Sequence, residues 1–106
     1  MEPWLVDVRD EVVRGVILRV LIKHGLDWMA FQSLQSQVQL GQGYPLADEE
    51  LRFQLAYLGD KARGYVESKP LRAGRTRIRE YAFVRATAKA VDLRDGLIAS
   101  DPGVAL

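Results

Sequence analysis

Lys69, Arg72, Arg75, Arg77 and Arg79 fall within eleven residues, with no acidic residue among them. In an extended segment side chains alternate between faces, so Arg75, Arg77 and Arg79 share one face. A guanidinium is planar, permanently charged and donates in a fork that matches phosphate oxygens. A row of them suits the backbone of double-stranded DNA, or a narrow minor groove. The same row also suits a solvated hairpin edge, where arginines keep the strand from pairing with another chain. The residues alone leave both readings open.

Other chemistry finds little support. His24 is the single histidine, and no acidic or nucleophilic partner lies near it in sequence. It reads as a helix-end or surface residue rather than a general base. Asp48, Glu49 and Glu50 are explained by a helix N-terminus, where negative charge is favoured. No set of ligands has metal-binding spacing. The GQG at 41–43 is too short for a phosphate-binding fingerprint and follows no strand. The sequence therefore predicts a protein that is not an enzyme, with no cofactor, no metal and no small-molecule substrate.

The charge balance points to the same segment. The net charge is only +1, but residues 61–91 carry 9 basic and 2 acidic side chains, whereas residues 1–60 carry 5 basic and 9 acidic. A local excess can act where the total does not. A chain of 106 residues makes one domain. At this length folding buries roughly 65% of the unfolded surface, enough for a core without staples. Cysteine is absent, which excludes disulfides and thiol chemistry and fits a reducing compartment. MEPW has no basic region followed by an apolar run, so no signal peptide is expected from it. The apolar run 12–22 is interrupted by Arg14 and Arg19 and is far short of the ~20 residues of a membrane span. These features predict a cytoplasmic protein with no membrane contact.

The elements that must hold the basic segment follow from periodicity. Residues 1–7 read as an N-terminal arm in which Trp4 and Leu5 pack on the domain or on a partner. A first helix is predicted from Val8 to His24, with Val13, Val16, Ile17, Val20 and Leu21 as its stripe and Gly25 as its left-handed stop. A second runs from Trp28 to Gln39, capped by Asp27, with Phe31, Leu34 and Val38 inward and a run of glutamines and serines outward. Two glycines and a proline in LGQGYP end it.

The third helix, Asp48 to Arg63, is the organising stretch. Asp48 is its expected N-cap. Leu51, Leu55, Leu58 and Ala62 make an inward stripe, and Glu49, Phe53, Ala56, Tyr57 and Asp60 lie opposite. Arg52 lies on one flank. Gly64 then turns the chain into a hairpin. Tyr65 and Val66 begin a strand, Pro70 ends it or holds it at an edge, residues 71–74 form the tip, and 76–84 return. Thr87 caps a last helix from Ala88 to Asp95, stopped by Gly96. The tail, 97–106, is expected to be loosely held.

Helix, helix, helix, hairpin, helix resembles the order of a winged helix-turn-helix domain of the α+β class. Three segments narrow the resemblance. RGVILRVL (14–21) looks like the first helix of a small winged-helix family of tailed phages and prophages, including Mu-like ones. LRFQLAYL (51–58) is similar to its third helix. Ala86-Thr87, then Ala90 to Leu93, Gly96 and Asp101 to Val104 resemble its closing segment. Residues 59–63 depart from common winged helices by lengthening the link to the hairpin, so the third helix either extends through them or ends at Gly59. The resemblance implies a phage or prophage protein and brings no defined activity.

Two functions are compatible with these residues. One is a regulatory DNA-binding protein that touches the duplex backbone through Lys69, Arg72, Arg75, Arg77 and Arg79, with Arg52 beside them. The other is a protein-interaction or assembly module. Its interface would be the aromatic pair Phe53 and Tyr57, joined by Trp4, in a homodimer or with another protein partner. Glu49 and Asp60 disfavour base reading by the third helix, because they would meet phosphates with the wrong sign.

Overall fold

The structure is a computed structural model. It describes residues 3–43, 45–73 and 77–106, with side chains from 9 onward except 44 and 73–77. The fold is α+β. Four helices, α1 (Pro3–Lys23), α2 (Phe31–Gln42), α3 (Asp48–Leu58) and α4 (Ala88–Arg94), accompany three strands, β1 (Met29–Ala30), β2 (Val66–Ala73) and β3 (Arg77–Ala86). The sheet is antiparallel in the order β1-β3-β2.

α1 begins at Pro3, so residues 3–7 are its first turns rather than an arm. A proline is well suited to the first helical position, since its missing N–H would have had no helical partner there. Val13, Val16, Ile17, Leu18, Leu21 and Ile22 are buried, while Val20 is only half-buried. α1 packs on α2, α3, α4 and β3. Gly25 stops it at φ 85°, as the pattern predicts.

Asp27 accepts from Trp28 N at 2.9 Å but does not cap α2. Met29 and Ala30 instead extend and pair with Val84 and Phe83. α2 thus starts three residues later than predicted, at Phe31, and buries Leu34 and Val38. Its glutamines hold the connection to α3. Gln39 Oε1 accepts Leu46 N at 2.8 Å, and Gln35 Nε2 donates to Leu46 O at 2.8 Å and to Asp48 Oδ1 at 2.6 Å. That last bond uses the Asp48 carboxylate, and Ala47 occupies the N-cap without a side-chain bond.

α3 ends at Leu58, and Gly59 N closes on Leu55 O at 2.9 Å. Residues 60–63 form a turn, so Ala62 leaves the stripe and is exposed. Leu51, Leu55 and Leu58 are buried as expected, and Gln54 joins them at 1% exposure. In β2, Pro70 sits at the sheet edge, where the register slips between Lys69 and Leu71. Leu71 to Ala73 belong to the strand rather than to a tip. Thr87 precedes α4 but does not cap it, because its hydroxyl donates to Gly64 O at 2.6 Å. Among the described residues no helix is long and apolar enough to cross a membrane.

The tail is docked, contrary to the expectation for residues 97–106. Val104 is buried, Ala105 N donates to Glu11 O at 3.0 Å, and Tyr65 Oη donates to Asp101 Oδ2 at 2.9 Å. Gly15 makes this approach possible. A Cβ there would lie 1.9 Å from the Ala105 carbonyl oxygen. Gly15→Ala is therefore expected to lower stability by on the order of 1–3 kcal/mol, although the same change in an open helix would raise it. Thermal unfolding checks the sign, and limited proteolysis should cut the tail faster. A higher melting temperature with an equally protected tail would contradict this packing.

Candidate nucleic-acid interface

The hairpin β2–β3 is rooted in the core and basic toward its far end. Val66, Val84 and Ala86 anchor the root. Lys69, Arg72 and Arg79 are exposed. Arg75 lies outside the described residues. Arg77 opens β3 opposite Ala73, and its side chain also lies outside them.

The register sets Arg72 apart from Arg79, while the predicted row of Arg75, Arg77 and Arg79 lies largely outside the described side chains. Arg79 stands opposite Leu71, and Arg72 stands opposite Ile78. Residues directly opposite share a face and neighbours alternate, so Arg79 and Arg72 occupy opposite faces. Neither is ion-paired with a described residue. Nearer the root the cations are engaged. Arg85 pairs with Glu67 at 2.7 Å and lies 4.4 Å over the Trp28 ring, which Lys69 approaches from 5.6 Å. These contacts are worth about 1 kcal/mol or less each at exposed sites.

Between the hairpin and the starts of α2 and α3 lies an open groove of about 580 Å³. Phe31, Arg52, Ile78, Arg79, Tyr81 and Phe83 line it. Arg52 spans part of it, with its guanidinium 5.6 Å from the Phe31 centroid. The structure therefore brings Arg52 and Arg79 to one cleft, while Arg72 stays outside its lining.

The outer face of α3 does not carry the predicted aromatic pair. Phe53 is 62% exposed, but Tyr57 is half-buried. Arg14 and Arg63 stack on the Tyr57 ring, 3.5 and 3.6 Å from its centroid. Its hydroxyl abuts Gly103, where a Cβ would lie only 2.0 Å away. Arg14, Arg63 and the tail thus cover part of the ring, so Tyr57 offers less surface than an exposed aromatic pair would. The side chain of Trp4 lies outside the described set.

Arg14, a polar interruption of the α1 stripe in sequence, is only 8% exposed. Its Nε donates to Gln54 Oε1 at 2.6 Å and its Nη1 to Gly103 O at 3.2 Å. Gln54 Nε2 donates in turn to Asp10 Oδ1 at 2.9 Å. The signal is in the spacing. Arg14, Ile17, Leu18 and Leu21 form one stripe, as do Leu51, Gln54 and Leu58. Trp28 falls outside α2 and serves as a platform for hairpin cations, a role that nothing local in the sequence marks.

His24 is exposed at the end of α1, with Nε2 3.3 Å from Trp28 O. Among the described residues no three or more His, Cys, Asp or Glu cluster as metal ligands. Asp60 closes the turn after α3, and the Arg63 backbone N–H holds its carboxyl below the usual range. Comparison of the chain with protein-family models, with curated proteins and with solved structures finds no match.

Tyr65 joins the hairpin root to the tail. Burial, then the hydrogen bond to Asp101, pushes its pKa up from 10.0 to about 12. Below pH 10 both folded and unfolded chains keep the proton, and the stabilisation is fully present. Between pH 10 and about 12 the unfolded chain loses it first, so stability falls as pH rises. Across this window the wild type should lose on the order of 2 kcal/mol more than Tyr65→Phe. Denaturant unfolding at stepped pH measures this. Parallel curves for the two proteins would rule out the linkage.

Proposed function

We propose that this chain is a small, non-enzymatic DNA-binding protein of the winged-helix type. Its hairpin acts as the wing and contacts the phosphate backbone. The order of helices, the hairpin after the third helix and the short β1 that joins the sheet are compatible with that fold. The observation that carries the reading is the placement of Arg72 and Arg79. They are exposed on opposite faces of one projecting hairpin, and neither is neutralised by a described acid. Unpaired guanidinium groups at a free edge are available to phosphates on either side. Arg52 adds a third cation from the adjoining cleft. The resemblance of three segments to a phage and prophage family suggests that setting but brings no activity, so the regulatory role is part of the proposal.

Binding of this kind is driven largely by counterion release. The wild type should bind a random-sequence duplex with an affinity that falls steeply with salt. Arg72→Ala/Arg79→Ala should flatten the slope of log K against log salt by about 2, roughly 0.9 for each phosphate no longer neutralised. Fluorescence anisotropy over a salt series provides the measurement. An unchanged slope, or no duplex binding by the wild type, would remove the basis for the assignment.

Phe53 favours a second reading. A phenylalanine 62% exposed on a helix face is the kind of anchor that protein interfaces bury. On this reading the chain is an assembly module and Phe53 contacts a second copy. Sedimentation should then show a wild-type dimer and a Phe53→Ala monomer. A monomer in both cases would rule out self-association through this face.

A further inference from the structure

The cleft beside the hairpin has properties that a duplex backbone does not use. Its lining includes three aromatic residues, Phe31, Tyr81 and Phe83, all half-buried. The apolar Leu71, opposite Arg79 and 47% exposed, continues them toward the far end of the hairpin. Arg52 and Arg79 border the same space. At about 580 Å³ the cleft is the size of a small-molecule site.

We infer that this cleft holds unpaired nucleotides, so that the protein binds single-stranded nucleic acid in preference to blunt duplex. The inference rests on the nucleic-acid reading above and names the substrate class of that surface. Aromatic walls offer a stacking surface to any base, and flanking cations meet the phosphates on either side of it. That combination distinguishes single-strand binding from backbone contact alone. A purely apolar peptide would leave Arg52 and Arg79 without a partner.

Two carboxylates also border the cleft, and both are compatible with this occupant. Asp48 accepts the hydrogen bond from Gln35 Nε2. Glu80 is exposed on a hairpin whose stretch from 69 to 79 carries five cations and no acid. The lining thus carries two guanidinium groups and two carboxylates, with Lys69 and Arg72 exposed on the same hairpin outside it.

The test uses the full chain and two labelled probes, a 16-nucleotide oligo(dT) and a blunt 16-base-pair duplex, with a 16-nucleotide oligo(rU) to separate DNA from RNA. The principal variant is Phe83→Leu, which removes an aromatic face while keeping apolar volume at a residue outside the core cluster. Phe31→Leu is the second variant, scored after its melting curve shows that it folds. Arg72→Ala is the control, since Arg72 lies on the hairpin but not in the cleft lining.

The expected result is tighter binding of a single strand than of the duplex by the wild type. Phe83→Leu should weaken oligo(dT) or oligo(rU) binding by about 5- to 100-fold, as base–aromatic stacking implies, and change duplex binding less than about 2-fold. Arg72→Ala should weaken both probes alike. The tighter of the two single strands identifies the sugar. Duplex binding with weaker single-strand binding, or single-strand affinity unmoved in both leucine variants, overturns this inference and leaves the duplex reading standing. No binding of any probe overturns both.

Discussion

Arg14 is the constraint around which the domain is assembled. It is a permanent charge inside the apolar stripe of α1, and a buried charge without partners costs several kcal/mol. No single neighbour satisfies it. Gln54 of α3 accepts from its Nε, Gly103 of the tail accepts from its Nη1, and Tyr57 of α3 stacks on its face. The nearest compensating anion in the network is Asp10, reached through the Gln54 amide. α1 therefore docks favourably only when α3 and the tail are both in place. A buried amide that accepts from a guanidinium and donates to a carboxylate has one orientation, so the network also fixes how α3 is rotated about its axis.

That rotation sets the hairpin. Gly59 ends α3, Asp60 and Gly64 close the turn, and Tyr65 N returns to Leu58 O at 2.9 Å. Thr87 N then bonds Tyr65 O, which ties the far side of the hairpin root to the near side. The Tyr65–Asp101 bond binds the same root to the tail. The far end has no such ties among the described residues. Its described cations lack acid partners, and Leu71 and Ile78 are exposed. Stability in such an arrangement is unevenly distributed, high at the root and low where contacts are few. A basic arm on a rigid root is suited to following a charged surface that is not perfectly complementary to it.

Much of this is legible in the sequence, and the exceptions have physical causes. The stripes of Leu51, Leu55, Leu58 and of Leu34, Val38 predict the inward faces correctly, because burial obeys the helical period. Residue type, by contrast, assigns polar side chains at stripe positions to the outside. Arg14 and Gln54 show the error: periodicity marks the position, but residue type alone does not show that partners will arrive from 40 residues away. β1 is two residues long and exists only because Val84 and Phe83 lie beside it. The hydrogen bonds that dock the tail are long-range, so its Pro and Gly content suggests a looseness that Glu11 and Tyr65 remove. At the candidate site, the basic run is visible as composition. Its division between two faces depends on a register that no local pattern specifies.

The first turn of α3 remains the strongest objection to any polyanion near this helix, and the structure weakens it. Glu50 is paired with Arg9 at 3.0 Å, and Asp48 accepts from Gln35. Of the three successive acids, Glu49 is the one left to solvent without a described partner. An anion approaching along the Phe53 face would still meet Glu49. One approaching from the cleft side meets Asp48 and, one turn further along, Arg52. The cleft-facing flank of α3 therefore carries one acid and one cation side by side, whereas its outer face carries Glu49 next to the exposed Phe53.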